Sequence, residues 1–208
     1  MGVCVLVLGY SGSGKSYALR NFEPDEVGIF NVIGKRLPFR KQLRCFNKPS
    51  YEEIAASMRA SGKLAYVIDD ANYLMAFENF AKAKQKGYEK FTQMAVNFER
   101  LLETANEMDD DCIVYFLMHP DTDEAGRVKP KTIGRMLDNQ LTVEGMFPIV
   151  LMAEKDDKGY FLRTVSDGND PAKAPPEMFA GPRIDNDLRA VDSAIREYYQ
   201  MEPIGGKA

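Results

Sequence analysis

A three-layer α/β fold, with a mostly parallel sheet that ends in a C-terminal antiparallel hairpin, is predicted by three features of this 208-residue sequence. Short apolar runs alternate with segments of helical periodicity. The first run, Val3–Leu8, leads directly into a glycine-rich turn. Two late runs, 146–153 and 160–165, bracket the hairpin turn Asp156-Asp157-Lys158-Gly159.

Val3–Leu8 has no polar position, as expected of a parallel strand covered on both faces. The turn after it, Gly9-Tyr10-Ser11-Gly12-Ser13-Gly14-Lys15-Ser16, is a complete G-x-x-x-x-G-K-S phosphate-binding loop. Its glycines let the backbone turn tightly, so that successive N–H groups converge on phosphate with no side chain in the way. Gly9 to Ser16 and the adjacent Tyr17 are therefore the residues expected to hold a nucleoside triphosphate, ATP, with Mg2+. Lys15 would reach the β- and γ-phosphates, Ser16 would offer its hydroxyl to the metal, and a helix over residues 15–21 would aim its positive end at the same anion.

A second buried strand is expected over residues 27–33. Residues 35–48 then carry Lys35, Arg36, Arg40, Lys41, Arg44 and Lys48 with Phe39 and Phe46 interleaved, either as a solvated loop or as a phosphate- or DNA-contacting segment. Ser50 and Glu53 form an S-x-x-E capping box for the next helix. The run 64–68 is a third strand, and it delivers Asp69-Asp70 at its C-terminal end, where α/β sheets present ligand sites. This is the Walker B arrangement. Helices follow over 71–85 and 90–108, the second with Phe91, Met94, Phe98, Leu101, Leu102 and Ala105 on one face as core. Asp109 to Asp111 read as a charged turn before the strand 112–118, which ends at His119, the only histidine.

From Pro120 to Lys131 the chain is polar, a helix is expected over 132–144, and the hairpin follows. A proline-rich loop, 167–182, precedes a last helix over 186–199, and the residues after Gln200 read as frayed. Residues 1–199 thus form one domain with a flexible tail at 200–208. The net charge of −4 and pI near 5.2 exclude a strongly basic coat but leave a local nucleic-acid patch open. Cys4, Cys45 and Cys112 are scattered and read as reduced structural residues. No apolar run is long enough to span a bilayer, so a soluble, intracellular chain is expected.

Turnover of a γ-phosphate requires a cradle, a metal ion, a group to orient water and positive charge for the transition state. The loop is the cradle and Asp69 the metal partner beside Ser16. Asp70 stands where a carboxylate base would, and His119 would sense the γ-phosphate if its strand lies between the loop strand and the Asp69 strand. Lys129 and Lys131 could reach a neighbouring subunit's γ-phosphate or be ordinary surface residues.

These segments together, with Asn31-Val-Ile-Gly-Lys35, Leu37-Pro38-Phe39, Phe116-Leu-Met-His119, Lys131-Thr-Ile-Gly134 and Asp167-Gly-Asn-Asp170, resemble the small phage-encoded ATPases of the RecA-core class, often grouped with Sak-type single-strand annealing proteins. The resemblance runs from about residue 3 to 199. It implies a RecA-like P-loop core, ATP with Mg2+, a homo-oligomer, and a role in phage recombination or replication through single-stranded DNA. Other phage replication or recombination proteins are implied as partners, in the host cytoplasm. The RecA family carries a catalytic glutamate just after the second strand, where this chain reads Val32-Ile33-Gly34-Lys35, a departure that implies weak turnover. Two other functions fit the loop: a nucleotide-dependent loader or regulator, which Asp70 in place of a glutamate favours, and a small kinase, which Arg127 and Arg135 alone support poorly as a lid.

Overall fold

A computed structural model describes residues 1–134, 137 and 141–205. Its centre is an eight-stranded sheet in the order β10-β9-β8-β1-β5-β4-β2-β3. In chain order the strands are β1 (Val3–Leu8), β2 (Gly28–Asn31), β3 (Cys45–Asn47), β4 (Ala65–Asp69), β5 (Ile113–Met118), β8 (Ile149–Asp156), β9 (Gly159–Arg163) and β10 (Arg183–Asp185). β6 (Pro120–Thr122) and β7 (Val128–Pro130) form a separate hairpin. The strands from β8 across to β3 are parallel, whereas β9 and β10 are each antiparallel to their neighbour.

Alternation along the strands builds the layers. Leu6 and Leu8 of β1, Ile68 of β4 and Phe116 of β5 face one core with α1 (Tyr51–Ser61), α2 (Asn72–Ala81) and α3 (Glu89–Asn106). Val5, Val7, Val67 and Leu117 face the other, with Leu19, Phe22 and the inner side of α4 (Leu188–Tyr199). Helices therefore cover both faces. The Ser50 capping box is present, with Glu53 N donating to Ser50 Oγ at 3.2 Å and Ser50 N donating to Glu53 Oε2 at 2.8 Å. Gly62 ends α1 at φ +61, where any side chain would add strain of about 1 kcal/mol. Among the described residues no helix is long and apolar enough to cross a membrane.

Several elements differ from the sequence reading. The segment after the glycine loop is a single 3-10 turn, Ser16–Leu19, rather than a helix over 15–21. Bonds of the i to i+3 kind carry it onward, Arg20 N to Tyr17 O and Phe22 N to Leu19 O, until Pro24 bars a helical continuation. β3 lies within the basic segment and β6 and β7 within the polar one, and β10 lies just past the proline-rich loop. These are three-residue strands, held by pairing with neighbours more than by any pattern of their own.

Of the helix expected over 132–144, residues 135, 136 and 138–140 lie outside the described residues; Leu137 is helical, residues 132–134 and 141–142 are not, and Val143–Met146 forms a 3-10 turn. The chain past Gln200 is anchored as far as Gly205, in contrast to the frayed tail expected there. Ile204 is buried in the core under α4, and Arg196 donates to Glu202 O while Glu202 N donates to Asp111 Oδ1. Residues 206–208 lie outside the described residues.

Candidate functional site

β1 sits between β5 and β8, so the glycine loop leaves from the middle of the sheet at the C-terminal edge of its parallel strands. Gly9 packs so closely that an added Cβ would fall 2.3 Å from Ser13 Oγ and 2.7 Å from Ala153 O. Gly14 has φ +95, and a Cβ there would meet the Tyr160 ring at 2.8 Å. Tyr10, Ser11 and Gly12 form the exposed crest of the loop, and the Ser13 hydroxyl is buried without a hydrogen-bond partner. Tyr17 leaves the loop to pack on Tyr160, with ring centroids 5.4 Å apart.

Lys15 is folded back under the loop and donates to Gly9 O at 2.5 Å and Tyr10 O at 3.2 Å. Burial lowers its pKa to about 8, against the opposing pull of Asp70 and Asp69. Phosphate oxygens would compensate this buried ammonium far better than two carbonyls do. Because the turn after the loop has only four residues, it carries little of a helix macrodipole. The loop N–H groups and Lys15 are left to hold the anion.

Ser16 Oγ donates to Asp69 Oδ1 at 2.8 Å, which brings together the two residues expected to hold the metal. Asp69 ends β4, two strands from β1, and is fully buried. Burial pushes its pKa up to about 6, reinforced by the charge of Asp70 and only partly offset by the Ser16 hydrogen bond. Its Oδ2 has no hydrogen-bond partner, a costly arrangement for an isolated carboxylate and one that a cation would satisfy. Among the described residues no three His, Cys, Asp or Glu side chains form a group that could by itself hold a metal ion. Mg2+ on a nucleotide does not require such a group, because it keeps waters and phosphate oxygens and takes only one or two protein ligands.

Asp70 follows in a left-handed conformation, φ +62, that a non-glycine residue adopts only at a cost of about 1–3 kcal/mol. The turn points its carboxylate at the Lys35 ammonium and the His119 imidazole. Lys35 Nζ lies 2.5 Å from Oδ2, and His119 Nε2 lies 3.3 Å from Oδ1, though not aligned for a hydrogen bond. Burial works against the Asp70 charge, but His119 and Lys35 outweigh it and hold the pKa below the ordinary carboxylate value. β5 lies between β1 and β4, the arrangement on which the His119 assignment depended. Asn72 Oδ1 accepts from His119 N at 3.1 Å, and Tyr73 packs edge-on against the imidazole.

Lys131 N donates to His119 O at 2.9 Å, which roots the β6–β7 hairpin beside the site. Lys129, within β7, and Lys131, just past its end, flank buried Pro130. A pocket of ≈ 1040 Å³ beyond the hairpin, lined by Asp123, Arg127, Lys129 and Asn169 among others, shares no residue with the glycine loop. Chemistry rather than volume locates the candidate site.

Two features escape the sequence reading. Lys35, placed there in a basic loop, belongs to the Asp70 cluster, a contact across 35 residues that local pattern cannot reveal. The turn from α2 to α3 carries Lys82, Lys84 and Lys86 between Phe80 and Tyr88, whose side chains are 75% and 88% exposed, and Lys90 follows in the first turn of α3. Its alternating lysines were a visible signal, obscured because the segment falls between two helical patterns.

Comparison with known proteins adds no family to these observations: no family model matches the chain, and no curated protein gives a significant match.

Proposed function

We propose that this chain is a RecA-core P-loop ATPase that binds Mg2+ and ATP at the Gly9–Ser16 loop and couples the nucleotide to single-stranded DNA. The observation that carries the nucleotide reading is the convergence of a glycine cradle, the buried Lys15, and the Ser16–Asp69 pair at the end of the central strand. Bound Mg2+ would supply charge neutralisation at the phosphates, held through Ser16 and Asp69. Lys15 would exchange its two carbonyl partners for phosphate oxygens. Asp70, next to Asp69 at the end of β4, and His119, at the end of β5 between β4 and the loop strand, would orient the attacking water and sense the terminal phosphate.

The DNA reading draws support from exposed cations interleaved with exposed aromatics, the combination that single strands require. The 80–90 turn has it, and so does the 35–48 segment, where Phe46 is exposed beside Arg44. Lys129 and Lys131 would serve a neighbouring subunit in a homo-oligomer, and the protein would act with other recombination or replication proteins in the cytoplasm of a phage-infected bacterium. A second reading, a nucleotide-dependent loader or regulator with little turnover, is favoured by one observation: Lys35 already occupies the carboxylate that would act on water. ATP hydrolysis measured with and without single-stranded DNA separates the two. Stimulation by DNA supports the ATPase reading, tight binding without turnover supports the regulator, and no nucleotide binding at all refutes both.

A further inference from the structure

Lys35 is built into position. At the end of β2, the buried Asn31 donates from Nδ2 to Lys35 O at 2.6 Å and accepts from Gly34 N at its Oδ1 at 2.9 Å. Asn31 is paired in register with Asp69 of β4, and Val32 N donates to Asp69 O at 3.2 Å. Gly34, at φ +76, turns the chain so that the lysine points back over the strand ends. The backbone of Lys35 is thus tied to the strand that carries Asp69 and Asp70, while its side chain remains 43% exposed and free to swing on a four-carbon stem. Its partner is the reverse: the Asp70 side chain is 2% exposed and enclosed on its other oxygen by His119.

A fixed carboxylate and a mobile cation at the edge of a phosphate cradle form a two-position element. The charges of Lys15 and Lys35 both act on Asp69 and on Asp70, and they act on each other. With no phosphate present, Lys35 is held by Asp70. A terminal phosphate placed beside Lys15 brings new negative charge against these two carboxylates and offers Lys35 a stronger, multiply charged acceptor.

We propose that Lys35 is a γ-phosphate-reading cation supplied by the chain itself, which leaves Asp70 for the terminal phosphate of a nucleoside triphosphate and returns to it when only a diphosphate remains. The inference rests on the nucleotide reading above and adds to it a device that distinguishes triphosphate from diphosphate. The same exchange uncovers Asp70 Oδ2 only when a γ-phosphate is present, so that the carboxylate faces water when there is a bond to cleave. Lys35 is then a binding and positioning residue, distinct from Lys15, which contacts phosphate in either nucleotide.

The test is calorimetric binding of ADP and of the imido-bridged, non-hydrolysable ATP analogue, each with Mg2+, to the wild-type protein, Lys35→Met and Lys35→Arg. In Lys35→Met the triphosphate analogue is expected to bind about tenfold more weakly, the worth of one charge-assisted hydrogen bond, with ADP affinity unchanged within about twofold. Lys35→Arg, which keeps the charge and reach, is expected to restore most of the triphosphate preference. Equal loss for both nucleotides, or no change for either, overturns the proposal and leaves Lys35 as a structural ion pair. Wild-type protein that binds neither nucleotide overturns the underlying nucleotide reading and this inference with it.

Discussion

Replacing Asp69 with asparagine should stabilise the ligand-free protein at neutral pH. The carboxyl has a pKa near 6 in the fold against 3.8 for the free group, because it is buried beside Asp70. A tenfold change in proton affinity is worth ~1.4 kcal/mol, so holding the charge there costs ~3 kcal/mol at a pH of about 7.5. Asparagine removes that charge and can still accept from Ser16 Oγ, but its NH2 group replaces the unpartnered Oδ2 and needs an acceptor of its own. That reduces the expected gain to ~1–2 kcal/mol.

The sign with pH follows from linkage. An acid whose folded pKa is raised binds more protons folded than unfolded between 3.8 and about 6, so its destabilising effect is complete above pH 6 and disappears as pH falls toward 3.8. Urea unfolding of wild type and Asp69→Asn at pH 7.5 and 4.5 measures this. The variant should have the higher midpoint at pH 7.5, and its advantage should fall by about 2 kcal/mol, to zero or slightly below, at pH 4.5. A variant less stable than wild type at pH 7.5, or a difference independent of pH, would refute the reasoning that Asp69 is a strained, uncompensated carboxylate awaiting a cation.

His119→Ala should lower ATP turnover by ~10–100-fold, the worth of one hydrogen bond to a charged group, while leaving ATP affinity nearly unchanged, as measured by steady-state kinetics beside equilibrium binding. Equal losses in both would assign the imidazole a structural role. Neutralising Lys84 and Lys86 together should reduce the slope of log affinity against log salt for single-stranded DNA by about 1.4, at about 0.7 per phosphate contact, without changing ATP binding. Arg40, Lys41 and Arg44 form the comparison set, in which Lys41 is already paired with Glu23 at 2.6 Å; an unchanged slope in both sets would contradict DNA binding through these segments.

The sequence announces the parts of this fold that carry their own local pattern. β1, β4 and β5 are continuous apolar runs, and Asp69, Asp70 and His119 are legible because each stands where such a run stops. α1 is legible from its ends, Ser50 with Glu53 at the start and Gly62 at the finish. The short strands β3, β6, β7 and β10 are not, because three residues hold too little pattern and their order comes from partners distant in sequence. The site divides in the same way. Lys15 and Ser16 are fixed by motif, whereas the clamping of Asp70 by Lys35 depends on the turn that Asn31 imposes after β2, a tertiary fact with no local signature.

The central claim, that Gly9 to Ser16 hold the phosphates of ATP, is tested most directly by calorimetric titration of Mg2+-ATP into the wild-type protein and Lys15→Ala, with thermal unfolding as a check on the fold. The Lys15 ammonium is buried under the loop and, among the described residues, donates to two carbonyls, so its removal should leave the fold intact. One site per chain is expected in the wild type, and in Lys15→Ala an affinity at least about tenfold weaker, the worth of one charge-assisted contact. Equal affinity in the two folded proteins would contradict the claim.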